Sequence, residues 1–404
     1  MRIILLVVFL LPFLLACNDE ALDSSAEENH FPQIAISTEN GVKVTSKTDY
    51  VNGSAVVSGG EDFDSFSADL RIRGRGNSTW KHPKKPYQIK FDDKTKILGM
   101  AKDKKWILLA NHSDKSMLRT EVAFDLSRMS NLSWTPDSRF VELSINDEFL
   151  GLYQVTQKVE ESSNRVNIGD DGFLLEVDQL DRLDEDDVFF RTDRHLFNIK
   201  DPDLDFSDEK FLYIEKYIKT VENVLMGNDF LDPDTGYKKY VDIDSFVDWY
   251  LINELAKNQD AAFHTSVYMH IVPGGKLMMG PVWDFDIGFG NNKNPETRTF
   301  DPQGFWVERS PWIRRMFKDP VFINRLKSRF QYFYGKRDQI HAGIRKNAEY
   351  IDAAQARNYT RWQTLGKYVW PNPVYFDTYE EEVDHFADWL DKRFDWMKGA
   401  IDAL

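Results

Sequence analysis

Hydrophobic and polar positions alternate through most of the first half of the chain, which predicts strands. From Phe31 onward, residues 32–37 and 42–46 read as strands joined by the hairpin signal Asn40-Gly41. Residues 50–57, 68–73, 87–91 and 106–110 read as further strands. Leu118, Val122, Leu126 and Met129 then recur at helical spacing. Residues 140–145 and 149–155 read as strand, turn, strand, and 173–177 as one more.

The pattern changes in the second half. Ile214, Ile218, Val221 and Leu225 form a helical stripe closed by Gly227. Residues 243–255 are apolar nearly all round, as a central buried helix would be. Residues 266–272 and 276–282 read as strands joined by Pro273-Gly274-Gly275. Beyond Asn291 the chain is mainly helical. Val383, Phe386, Leu390, Phe394 and Met397 mark one apolar face of a terminal helix. The expectation is an α+β protein of two lobes around a cleft, β-rich over about residues 31–200 and helical over about 201–404.

The chain opens with Arg2 and an apolar run at 3–15, the pattern of a secretory signal. Leu14-Leu15-Ala16-Cys17 resembles a bacterial lipobox, in which residues 1–16 are removed and the cysteine is lipidated. The alternative is an ordinary signal beside a chance cysteine. Cys17 is the only cysteine of the 404 residues, which favours the lipobox and excludes a disulfide framework. Residues 17–30 then read as a flexible acidic tether. The implied location is extracytoplasmic, anchored in the cell envelope by lipid on Cys17.

Composition narrows the function. A net charge of −15 argues against a nucleic-acid partner. Eight histidines without an HExxH spacing argue against a zinc hydrolase. Residues 179–187 are acidic but lack the glycine and terminal glutamate of an EF-hand loop, so a solvated loop is the preferred reading over a calcium site.

Two segments carry candidate chemistry. In residues 253–290 the expected hairpin returns Asp260 and Asp284 to the same open end, although 24 positions separate them. Paired acids beside Gly280, Gly288 and Gly290 suit Mg²⁺ or Mn²⁺ chemistry on phosphates; the alternative is that Asp284 and Asp286 cap turns or pair with nearby Lys and Arg. Residues 71–91 hold seven Lys or Arg. There Gly74 and Gly76 would admit an anion close to the backbone, and Lys90 shares a strand face with Gln88. A solvated basic face is the alternative. Glu121, on the first helix, is placed either to pair with Lys90 or simply to face solvent.

The stretches RIRGRGNSTW, KKPYQIKF, WILLANHSDKSMLRTEVAFDL, FVELSINDEFLGLYQVTQKV, GFLLEVD, NELAKNQD and GPVWDFDIGFGN together resemble the CotH-type, or spore-coat kinase, family, and more closely its Bacteroidetes lipoproteins. The resemblance implies an atypical protein-kinase-like fold that phosphorylates Ser or Thr of a protein substrate, using ATP with Mg²⁺ or Mn²⁺. It implies Lys90 as the phosphate lysine, Asp260 as the catalytic aspartate and Asp284 as a metal ligand, with Asp286 a second. Arg73 and Arg75 would touch phosphates, and Trp283 would pack on the nucleotide or on the core. Two positions depart from the family pattern: Gln157, where many relatives carry Glu, and Ser266, where some carry Asn. Two other readings remain open: a surface scaffold binding protein or glycan through Trp306, Trp312, Trp362 and Trp370, and a nucleotide enzyme that transfers another group.

Overall fold

The alternating segments of the first half close into a barrel. The computed structural model describes residues 31–404, which make one compact unit. The expected signal at 1–16, the tether at 17–30 and Cys17 lie outside the described residues. The barrel strands are β1 (Gln33–Thr38), β2 (Val51–Ser58), β3 (Phe66–Gly74), β4 (Tyr87–Thr95), β5 (Asp103–Leu109), β6 (Ser138–Ile145) and β7 (Glu148–Gln157). They run in the order β1-β2-β3-β4-β5-β7-β6, and β1 closes the ring by pairing parallel to β6. Ile36, Val57, Ile72, Ile89, Trp106, Val141 and Val155 point inward and fill the barrel. Period-two alternation then turns Arg73, Gln88 and Ile107 outward on adjacent strands, in register. Helix α1 (Arg119–Arg128) links β5 to β6.

A second sheet holds β8 (Phe173–Asp178), β9 (Phe189–Arg191), β10 (Leu196–Asp201), β11 (Val267–Ile271) and β12 (Met278–Met279), in the order β12-β11-β8-β10-β9. Leu175, Val177, Phe197, Val267 and Met269 belong to the main core together with α2 (Glu209–Met226) and α3 (Ile243–Leu255). As its sequence requires, α3 is buried on every side from Ser245 to Leu255. The opposite sheet face carries Tyr268, Glu176 and Asn198 in one row.

Helices α4 (Pro311–Met316), α5 (Pro320–Tyr334), α6 (Arg337–Tyr350), α7 (Asp352–Arg361) and α8 (Tyr379–Asp402) complete the chain. A Thr378–Glu381 capping box starts α8. Its stripe Val383, Phe386, Leu390, Phe394 and Met397 is fully buried.

The protein is thus mixed α and β, with β structure concentrated early and helices late. Three details differ from the pattern reading. Residues 42–46 form no strand, and β1 pairs instead with β2. The second arm of the late hairpin shrinks to the two residues of β12, just before Pro281, which has no N–H to donate. The late strands β11 and β12 join the earlier β8 and β10 in one sheet, and α7 returns to pack on β7, so a boundary near residue 200 does not separate the secondary structure cleanly.

Candidate functional site

The sequence from Asn253 to Gly290 folds around a set of buried anchors. Glu254, near the end of α3, accepts from the backbone N–H of Trp306 and Val307 at 2.8 Å each, and from Arg393 at 2.6 Å. Lys257 donates to the carbonyls of Arg298, Asp301 and Gln303. Asn258 donates from Nδ2 to the Asp284 carbonyl at 3.1 Å, and its Oδ1 accepts from the Asp260 N–H at 3.3 Å. The two loops leaving α3 and β12 are therefore joined directly at the end of the β11–β12 pair. Lys257, Phe263, Ser266, Asp284 and Phe289 all have positive φ, a concentration of left-handed non-glycine residues of the kind found at functional sites.

Asp260, Asp284 and Asp286 line one cleft of about 370 Å³. Burial pushes Asp260 up to about 7, and the neighbouring Asp284 charge adds to the shift. Asp286 is pushed up to about 8 by burial, then by Asp284, Asp114 and Asp260. Asp284 is also raised by burial, against the pull of Arg75 and Arg182. Ser266 Oγ lies 3.4 Å from Asp284 Oδ2, and Ser113 Oγ lies 3.4 Å from Asp286 Oδ2. Asn291 Nδ2 ties the carbonyls of Ser113 and Asp286 together, at 3.0 and 2.7 Å. The segment before α1 is thereby held against the acid-bearing loop.

The cations of the cleft come from several elements: Arg73, Arg75, Lys84, Lys158, Arg182 and Lys200. Arg75 sits over the Trp283 ring at 5.4 Å, and that ring packs on Phe124 at 6.2 Å. Trp283 therefore serves the core while facing the cleft. Lys158 is drawn down to about 8 by burial, although Glu160 lies 3.3 Å away. Arg182 donates to Thr265 Oγ1 at 3.1 Å, and Thr265 donates to Asp178 at 2.6 Å. The acidic loop 179–187 is thus one wall of the cleft, to which Arg182, Asp184 and Asp187 contribute.

Several expected site residues lie elsewhere. Lys90 does share the outer barrel face with Gln88, but it is absent from the cleft lining. It pairs in register with Arg71 and Lys105, one repeat along the strand from the Arg73–Gln88 pair. Two residues of strand carry it about 7 Å further out. Glu121 does not pair with Lys90. It is held by Arg128 at 3.0 Å, Gln154 at 2.8 Å and Ser138, and its neighbour Thr120 faces the cleft instead. A Cβ on Gly74 would sit 2.3 Å from the Trp80 ring, so this glycine makes room for an indole, not for an anion. Gln157 accepts from the Asp137 N–H at 2.9 Å, away from the cleft. Of the four tryptophans considered as a binding surface, Trp312 is fully buried, Trp306 and Trp362 donate to the backbone of Gln259 and Leu150, and Trp370 alone is exposed.

Sequence reasoning passed over Lys158, Glu176, Arg182, Lys200 and Tyr268. Glu176 did carry a signal, as the one charge within the apolar run of β8 before its final Asp178.

Among the described residues, no three His, Cys, Asp or Glu side chains converge in a geometry that would hold a metal ion. The donor chemistry nevertheless fits a hard divalent cation. Burial raises all three carboxyls, with repulsion from Asp284 adding to the shifts of Asp260 and Asp286, and Mg²⁺ commonly takes only one or two carboxylates, with phosphate oxygens and water completing its shell.

Buried acids thus stand opposite arginines, on two loops tied at the end of one strand pair. The chain matches the CotH kinase protein family over residues 72–397, and it belongs to that family. No curated protein matches it.

Proposed function

We propose that this CotH-family protein is an extracytoplasmic kinase that transfers the γ-phosphoryl group of ATP to a Ser or Thr hydroxyl of a protein substrate. In this reading the barrel and the helical region act as the two lobes of an atypical kinase, and lipid on Cys17 holds the protein at the cell envelope. The carrying observation is the meeting of Asp260 and Asp284 in one cleft, each raised by burial and each facing cleft cations.

Asp260, near 7, is poised to accept a proton at working pH. It takes the proton of the acceptor hydroxyl as that oxygen bonds to the γ-phosphorus. The bond from the γ-phosphorus to the bridging oxygen breaks, and ADP leaves. Asp284, steadied by Ser266, would hold a divalent cation together with Asp286. When bound, Mg²⁺ or Mn²⁺ supplies charge neutralisation on the phosphates. Arg75 and Arg73 hold the phosphate oxygens from the barrel side.

The test is thermal denaturation of residues 28–404 with ATP and either metal. Ligand at 100 times its Kd adds about 2.7 kcal/mol of stability. A metal-dependent rise that Asp284→Ala abolishes supports the reading, and no rise with either metal refutes it. Label arriving on protein from γ-labelled but not α-labelled ATP separates phosphoryl from nucleotidyl transfer.

A further inference from the structure

A row of rings leads from the cleft to an exposed aromatic segment. Tyr368, Trp370, Val374 and Tyr375 all fall between α7 and α8, and Trp370 is 51% exposed. Large apolar groups gathered on one surface mark an interaction site, where single ones need no explanation. Between them Val369, Pro371 and Asn372 turn inward and fix the segment. The Pro371 carbonyl accepts from the Lys293 N–H at 2.9 Å. Asn372 Nδ2 donates to the Ser113 carbonyl at 2.7 Å and to Asn291 Oδ1 at 2.8 Å. Ser113 and Asn291 also hold the Asp286 loop. The exposed rings therefore share one frame with the acids of the cleft.

Trp370 lies 6.2 Å from His82, His82 5.0 Å from His112, and His112 6.0 Å from Trp362, between ring centroids. His82 and His112 line the cleft, while Trp370 and Trp362 lie outside it, so the row crosses the cleft edge. Burial lowers both imidazoles, His112 to about 3, and the row is uncharged at neutral pH. The charge beside it is positive. Lys81 precedes His82, Lys367 precedes Tyr368, and Lys293 Nζ sits 4.1 Å from the Tyr368 ring centre. All three lysines are exposed, and none has a carboxylate partner among the described residues. Even with exposed Asp377 counted, the patch is positive within a chain of net charge −15. A neutral glycan would stack on Trp370 but gain nothing from the lysines. A polypeptide bringing acidic side chains to the lysines and an apolar one to Trp370 would use both. An acceptor hydroxyl that reaches Asp260 must also trail its own chain out of the cleft, and the row gives that chain a surface to lie on.

We infer that the row from Trp370 to His112 is the docking surface for the acceptor polypeptide, and that it selects acidic segments with an apolar residue near the Ser or Thr. This rests on the kinase reading. The experiment is fluorescence anisotropy of two labelled peptides, one with Ser flanked by Glu and Phe, the other with Lys in place of Glu. Each is titrated, without nucleotide, with the wild-type protein, Trp370→Ala and Lys293→Ala. Both side chains are exposed, so neither variant threatens the fold. The acidic peptide should bind the wild type about tenfold or more tightly than the Lys peptide. Trp370→Ala should weaken it about tenfold, as loss of an aromatic anchor does, and Lys293→Ala should narrow the preference. In transfer assays Trp370→Ala should raise the KM for the peptide and leave kcat and the KM for ATP unchanged. Three results overturn the surface: no binding of the acidic peptide, binding that Trp370→Ala leaves intact, or Trp370-dependent binding of neutral dextran instead of peptide. None of these touches the kinase reading, which the ATP-dependent thermal shift decides separately. A peptide that docks through Trp370 on a protein that ATP does not stabilise, and that never takes label, removes the kinase reading and the acceptor role with it.

Discussion

Arg393→Met should loosen the Asp260 loop from behind. The Arg393 guanidinium is fully buried and donates to the Glu254 carbonyl at 3.0 and 2.7 Å, the Glu254 carboxylate at 2.6 Å, and the carbonyls of Pro302 and Gly304 at 2.7 and 2.9 Å. Removing it leaves three carbonyls short of a donor. It also leaves Glu254, itself 0% exposed, as a buried charge held mainly by backbone amides. Breaking one side of a buried ion pair costs about 3–5 kcal/mol. At about 2.1 cal/mol/K per residue, the 374 residues from Phe31 to Leu404 have an unfolding entropy near 0.8 kcal/mol/K. The melting temperature should therefore fall by about 4–6 °C. Glu254→Gln combined with Arg393→Met should cost less than the two single changes added together, because no unpaired charge remains. Since Glu254 lies six residues before Asp260, the single variant should also lose phosphoryl transfer at temperatures where it is still folded. A melting point within 1 °C of the parent, or a double variant as damaged as the sum, would refute the assignment of this pair as the anchor of the loop.

Other outcomes follow from the site. Asp260→Asn should cut transfer by about 10²- to 10⁴-fold while keeping the metal-dependent ATP shift, and loss of that shift would place Asp260 in binding instead. The carboxyl of Asp260 must be ionised to accept a proton and its value is raised to about 7, so the rate should climb as pH rises through that value; a profile flat across it refutes the base role. Arg75→Ala should weaken Mg-ATP binding about tenfold or more and Lys90→Ala should leave it unchanged, a contrast that fluorescence titration reads directly. Globomycin should make an expressing host accumulate unprocessed precursor, and normal processing would rule out lipid on Cys17.

What the sequence revealed depended on whether the deciding physics was local. The helix at 243–255 was legible because an all-round apolar run has few other ways to stay out of water. The approach of Asp260 and Asp284 was legible because a strand pair fixes where its ends lie. The Asn40-Gly41 turn does adopt positive φ at both residues, as its chemistry demands. The chain beyond it still forms no strand, since Val42 is exposed and the edge of β1 is taken by β2. Lys90 shows the same limit: alternation gave its face correctly, but depth along the strand depends on where a distant sheet ends. Arg182 reaches the cleft through tertiary packing alone, which leaves no period to read.

The hold of Arg393 on Glu254, and of Asn372 on Ser113 and Asn291, sets an order of events. Both residues lie in the last tenth of the chain, yet they brace the two loops that carry the acids. A ribosome adds them after every acid is already in place. A partly synthesised chain can therefore hold Asp260, Asp284 and Asp286 and still lack the braces that align them. Until Arg393 docks, the nascent protein carries the acids of the cleft without the frame that aligns them.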